Sequence, residues 1–270
     1  MGANPLPMST PRVVSLAPSA TATLSALDAA ECLVGVTHHC EPPPDAGSAH
    51  DADPVAVGGW TTPSLDRVAE LDPDVVFTSD GLQAGIAEEC RDRGLAVDHR
   101  EPATLADVLE DFRGIADAIG RPDAGAELAV EARERIEAVG DATAGTGGDT
   151  TDATAGGPVV YCEEWSDPPM AAGNWVPDAV RAAGGRYPFV DPGERSREVD
   201  PEAVAAADPD HVVVHVGGRG DRVDPATVAG REWIDAPVHV VDDSLLNQPS
   251  PVLIDGIERL AGLFAGEEEP

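Results

Sequence analysis

Lysine is missing from this chain of 270 residues: all 17 basic side chains are arginines, opposed by 50 acidic ones for a formal net charge of −33. The absence excludes a Walker-type phosphate loop, which needs a lysine next to its hydroxyl residue. The stretch "GGRG" (217–220) therefore reads as a turn, and the "RGD" at 219–221 as an arginine and an aspartate in that turn. Binding to nucleic acid draws on counterion release by a basic surface, so the charge balance removes nucleic acid from the partners. The acids run through the whole chain and form no single tail. That pattern argues for a folded, acidic protein of high-salt (halophilic) surroundings, where screening shortens to a few ångströms, and against disorder.

Cysteine is scarce as well. Cys32, Cys40, Cys90 and Cys162 form no CxxC pair and keep no regular spacing, which fits free thiols better than a disulfide framework. No apolar run approaches the roughly 18 residues of a membrane span. The opening "MGANPLPMSTPRVV" has no hydrophobic region of an export signal, and Leu6 stands where a myristoylation motif wants Ser or Thr. On sequence alone the expectation is a cytoplasmic protein.

What is present alternates between two kinds of segment. Strands are expected at 12–16, 32–37, 74–79 and 95–99, and helices at 19–30, 64–71 and 84–93, with Ser19 as an N-cap and Gly94 as a stop. Near-continuous apolar strands alternating with helices predict a mostly parallel α/β sheet covered on both faces. From Thr104 the apolar residues recur at helical spacing, and Thr104 with Asp107 resembles a capping box. Pro122 is placed to open a second helix that runs to about Val139. The segment 140–157 is Gly/Thr/Ala/Asp-rich with no large apolar residue and reads as a flexible insertion. The strand–helix pattern then resumes to the end.

One echo is literal: "LDRVAELDPDVVF" (65–77) and "PEAVAAADPDHVVV" (201–214) share V-A-x-x-D-P-D before a β-branched run, at an offset that sets Asp66 opposite Glu202. The expected organisation is an N-terminal α/β lobe (1–103), a connecting helical segment (104–139), the insertion (140–157) and a C-terminal α/β lobe (158–270).

The motifs "RVVSLAPSATATLSALD", "LVGVTHHCEPPP", "GGWTTPSLDRVAELDPDVVF", "DPPMAAGNWVPDAVRAAGG" and "REVDPEAVAAADPDHVVV" resemble the substrate-binding proteins of ABC importers of the helical-backbone type (class III). That group receives vitamin B12, siderophores and haem, and its cobalamin-binding branch is the most similar. The resemblance implies an α/β fold of two Rossmann-like lobes joined by a long helix, with a ligand cleft between them and no catalysis. It implies a bound corrinoid such as cobalamin, no required cofactor, a monomer, and delivery to importer permease subunits outside the cytoplasm. It further gives Asp66 and Glu202 the role of docking on permease arginines.

Loops after the expected strands carry the remaining candidates: Pro18, Ser19, His38, His39, Cys40, Trp60, Ser79, Glu164, Trp165, Met170 and Leu245. In open α/β lobes ligands sit outside the carboxyl ends of strands. In a chain that is 4% aromatic, Trp60 and Trp165 on such loops point to a flat apolar ligand. Trp60 sits where the resemblance places an aromatic ligand contact. His39 stands where the B12 receptors carry a tyrosine, and Met170 and Leu245 replace further aromatics. Pro42, Pro43 and Pro44 are expected to stiffen the loop leaving this pocket.

A reading of another class starts from "HHCE" (38–41). His39, Cys40 and Glu41, facing Cys162, Glu163 and Glu164, would make a zinc or iron site of a cytosolic metal-binding protein or metal-dependent enzyme. Consecutive extended residues point to opposite sides, so residues 38 and 40 converge whereas 39 does not join them. The plainer reading has Cys40 as a small buried hydrophobe.

Overall fold

A computed structural model describes residues 10–43, 49–50, 53–144, 156–219 and 222–266. Pro44, most of the expected insertion (145–155) and Gly220 with Asp221 of the "RGD" lie outside the described residues. The chain divides into two compact units. One comprises Met1–Glu101 with Phe112–Leu128, the other Pro102–Asp111 with Ala129–Pro270.

The first unit is built on strands β1 (Val13–Ser15), β2 (Leu33–Val36), β3 (Val55–Ala56), β4 (Val75–Ser79) and β5 (Val97–Arg100). All pair in parallel in the order β3-β2-β1-β4-β5. This is the doubly wound order, with its reversal between β1 and β4. The alternation of side chains sends Val13, Leu33, Val75 and Phe77 to one core, and Val14, Val34 and Val76 to a second. Helix α1 (Pro18–Ala26) covers the first face through Ala20 and Leu24; α2 (Leu65–Glu70) and α3 (Ala84–Asp92) cover the other through Leu65, Val68 and Cys90. Apolar residues on both sides of β1, β2 and β4 are what the middle of a sheet buried on both faces demands, whereas the edge strands β3 and β5 are exposed or half-buried.

The second unit has strands β6 (Val160–Ser166), β7 (Pro169–Ala171), β8 (Arg197–Glu198), β9 (His211–Val214) and β10 (Val238–Val240) in the order β10-β9-β6-β7-β8. β10, β9 and β6 are parallel, whereas β7 runs antiparallel to both β6 and β8. Helices α6 (Val176–Ala182), α7 (Pro201–Ala207), α8 (Pro225–Ala229), α9 (Ser244–Asn247) and α10 (Val252–Phe264) complete it. The C-terminal helix buries Leu253, Ile254, Ile257 and Leu260.

Two helices, α4 (Leu105–Ala118) and α5 (Pro122–Ala144), have residues in both units. The 23 residues of α5 make it the longest helix, about 35 Å at 1.5 Å per residue. Pro122 opens it as expected, but it continues to Ala144, five residues into the stretch read as an insertion, where the Thr143 hydroxyl donates back to Val139 O at 3.1 Å within the helix. The capping box at α4 forms: Asp107 Oδ2 accepts from Thr104 N at 2.9 Å and Thr104 Oγ1 at 2.8 Å. The Thr104 hydroxyl donation, with the backbone bonds, lowers the Asp107 pKa.

The internal echo has a physical basis. In each unit the motif follows the helix preceding the strand next to the central one. Asp72 and Asp208 take positive φ, 44° and 49°, and turn the chain out of α2 and α7, where the following proline blocks further helix. Asp74 Oδ2 accepts Arg12 N at 2.7 Å and Asp210 Oδ2 accepts Val159 N at 2.7 Å. Their own amides donate back to Arg12 O and Val159 O. Each second aspartate thus clamps the start of its unit's central strand.

Candidate functional site

In the first unit, the carboxyl ends of β1, β2 and β4 carry most of the expected residues. Pro18 is the first residue of α1. Ser19 is not the N-cap: Ala17 holds that position without a side-chain bond, and Ser19 is buried within the first turn, where its carbonyl accepts Thr23 Oγ1. The reason is Pro18, whose fixed φ and missing N–H suit it to the first helical position and move the cap one residue back. After β2, His38 and His39 are exposed and Cys40 is buried. The Cys40 thiol meets Thr37 Oγ1 at 3.2 Å and Ser15 O at 3.6 Å, inside the unit.

Trp60 sits in a tight turn closed by the Gly58–Pro63 bridge. Gly58 has φ 125°, and a Cβ there would meet Thr62 O at 2.8 Å, so the turn needs glycine. Its anchor is a residue the sequence reading missed. Gln83, fully buried, donates from Nε2 to Trp60 O at 2.7 Å and to Leu16 O at 2.9 Å, and accepts Ser79 N at 2.8 Å through Oε1. One amide therefore ties together the loops bearing Pro18, Trp60 and Ser79. The only sequence signal was a glutamine in a chain that has two of them.

In the second unit, β6 and β7 form a hairpin that presents Glu164, Trp165 and Met170, with a cis bond at Asp167–Pro168. Trp165 pairs with Met170 across the hairpin beside a register shift at Glu164. The Trp165 side chain is 49% exposed, and its Nε1 donates to Asp167 O at 2.8 Å. Underneath, Glu163 is fully buried and forms a bidentate pair with Arg231, Nη1 to Oε2 at 2.6 Å and Nη2 to Oε1 at 3.1 Å. Tyr161 and Ser166 hydroxyls donate to the same carboxylate. Arg231 also lies 5.1 Å above the Trp233 ring. Glu163 is thus committed to holding the hairpin.

Leu245 lies on α9, half-buried. That helix is fixed to the end of β9 by Asn247, whose Oδ1 meets His215 Nδ1 at 2.5 Å and whose Nδ2 donates to His215 O at 3.0 Å. Trp175 packs as core and donates to Leu246 O at 2.8 Å.

The metal reading finds no grouping. Among the described residues no three His, Cys, Asp or Glu side chains are placed to share an ion. Cys162 is completely buried, and burial raises its pKa. The ligand-competent thiolate is correspondingly disfavoured.

Asp66 and Glu202 occupy matching places, each the second residue of its helix and exposed. Their surroundings differ. Asp66 pairs with Arg93 at 2.5 Å, and both line a groove of about 300 Å³ with Thr61, Thr62 and Glu89. Glu202 has its backbone N–H capped by Asp200 Oδ1 at 2.9 Å.

Comparison with known proteins gives these features a context. The periplasmic binding protein family matches residues 13–231. A vitamin B12-binding protein of Vibrio cholerae is 22% identical over 189 residues, 68% of this chain and 63% of its own length. The match therefore spans less than two thirds of that relative. A cobalamin-binding protein of Halobacterium salinarum is 27% identical over 264 residues, covering 94% of this chain and 69% of that protein. The solved periplasmic heme-binding protein of a Roseiflexus species in its apo form superposes with a TM-score of 0.71 at 23% identity, over 96% of this chain and 99% of that one. That likeness shows the fold: α/β lobes joined by a helix.

Proposed function

The chain belongs to the periplasmic binding protein family, and from that premise we propose that it is a non-enzymatic receptor that captures one bulky, largely apolar ligand for the permease of an ABC importer. The observation that carries the proposal is the placement of two tryptophans near strand carboxyl ends, one in each unit: Trp60 in the turn after β3 and Trp165 at the penultimate position of β6. Each ring offers about 150–250 Å² of stiff contact surface. Pro18, Ser19, Ser79, His38 and His39 join Trp60 on its unit, and Glu164, Met170 and Leu245 join Trp165 on the other. Cys40 supports the first set from beneath.

A corrinoid is the leading ligand, supported by the names of the two curated relatives. Haem is the second reading, supported by the solved heme-binding neighbour; a ferric siderophore is the third. Capture rests on apolar stacking and shape, and handover on permease arginines meeting Asp66 and Glu202. The work of such a receptor is done outside the cytoplasm, which cell fractionation checks.

Titration of the purified chain with hydroxocobalamin, cobinamide, hemin and a ferric siderophore, read by tryptophan quenching, tests the proposal. One-to-one saturation by a corrinoid is expected. Stoichiometric zinc or iron in the purified protein, with none of these ligands taken up, would put the metal-protein reading ahead of the receptor.

A further inference from the structure

Strand β4 leaves the sheet through "TSDGLQ" (78–83), next to the point where the strand order reverses between β1 and β4. Ligands of open α/β sheets gather at that reversal, outside the carboxyl ends. Three observations converge on this short segment.

Asp80 has φ 71° and ψ 147°, a corner of backbone space nearly reserved for glycine. It is held there by its N–H donating to Arg100 O at 3.0 Å, by Oδ1 accepting Leu82 N at 2.7 Å, and by its carbonyl accepting Gln83 N at 2.9 Å. A strained residue persists only where its neighbours over-determine it, and such residues collect at ligand clamps. The strain has a visible product. Leu82 is 66% exposed, more than any other large hydrophobic among the described residues. The third observation is Gln83, which ties this segment to the Trp60 turn and to the end of β1 through one buried amide.

A single exposed leucine is ordinary by itself. One presented by a strained aspartate, on a segment bonded to the Trp60 turn at the sheet's reversal point, is not. We propose that Leu82 is a further ligand contact, meeting the hydrocarbon-fringed edge of a large ring, and that Gln83 is the positioning residue that registers Leu82 with Trp60. The inference rests on the ligand-binding reading above and extends it to two residues on the same unit.

The test uses the full chain with hydroxocobalamin, cobinamide and hemin as probes, and 5-fluorotryptophan labelling with the Trp60 resonance assigned through Trp60→Phe. Leu82→Ser is expected to weaken the tightest probe about 10-fold, the range for losing one buried leucine contact. Its urea midpoint should stay unchanged, because the side chain is exposed, and Leu82→Met should recover affinity to within about 2-fold. Gln83→Glu keeps the shape but sets a carboxylate against two carbonyl oxygens. It should move the Trp60 fluorine resonance and weaken the same probe, while the other three tryptophan resonances stay in place. Wild-type affinity in Leu82→Ser overturns the contact, and an unmoved Trp60 resonance in Gln83→Glu overturns the positioning role. If the wild-type chain binds no probe, the ligand reading and the role of Leu82 fall together, and the resonance still judges Gln83 by itself.

Discussion

His215, at the carboxyl end of β9, shows how a single residue sets the pH response. The imidazole is wholly buried, and burial lowers its pKa to about 4, only partly offset by the bond to Asn247. The folded chain therefore refuses a proton that the unfolded chain accepts below about pH 6.5. The stabilisation is fully present above that value and is lost as pH falls toward the folded value. Roughly 3 kcal/mol should disappear across this window. His211 and His239, both lowered first by burial, act in the same direction. Urea unfolding at pH 7 and pH 4 checks this against His215→Asn, which keeps a polar partner for Asn247 but does not titrate. The wild type should lose about 3 kcal/mol more than the variant; equal losses would contradict the assignment. Thiols offer a second check at this scale. All four cysteines are buried, and burial pushes Cys32 up to about 11. Native protein should resist iodoacetamide, and all four should react on unfolding; rapid native alkylation of Cys40 or Cys162 would revive the metal reading.

Among the elements, the repeated D-P-D corner and the β6–β7 hairpin carry the sharpest expectations. Asp74→Ala and Asp210→Ala remove equivalent clamps on the two central strands, so each should cost about 0.5–1.5 kcal/mol, the net worth of one hydrogen bond, with the part-buried Val159 clamp at the upper end and the exposed Arg12 clamp at the lower. Arg231→Met leaves Glu163 charged and buried, at a cost of about 3–5 kcal/mol; adding Glu163→Met should recover most of it. A double variant as unstable as the single one would mean that the pair is not what holds the hairpin. The sequence announced those elements whose signal is local. The apolar runs of β1, β2 and β4, the helical spacing of α4, the Thr104–Asp107 box and the D-P-D echo were all legible. β3, β7 and β8 were not, because strands of two or three residues with Pro, Met, Arg and Glu form only through partners far along the chain. The site divides in the same way. Trp60 and Trp165 stand out by composition, but Gln83 and Leu82 acquire meaning only from bonds to residues 67 and 23 positions away.

At the scale of the whole molecule the dominant quantity is charge. The arginines are largely engaged within the fold: Arg12, Arg121 and Arg197 bind carbonyls, and Arg93, Arg135 and Arg231 bind carboxylates. Fifty acids outnumber 17 arginines about three to one, and the repulsion among them is screened over about 10 Å at 0.1 M salt and about 3 Å at 1 M. The unfolding midpoint should therefore rise from dilute buffer to molar salt, and a fall would contradict an acidic surface under repulsion. Such a surface also repels anions, in keeping with the proposed capture by apolar stacking. Calorimetric titration in molar salt, with hydroxocobalamin and hemin against the wild type, Trp60→Ala and Trp165→Ala, goes to the centre of the account. The account predicts one site per chain, with each substitution weakening it by about 2 kcal/mol or more, roughly 30-fold, and leaving the fold intact. Wild-type affinity in both variants would contradict it, as would no heat of binding from either ligand in the unmodified chain.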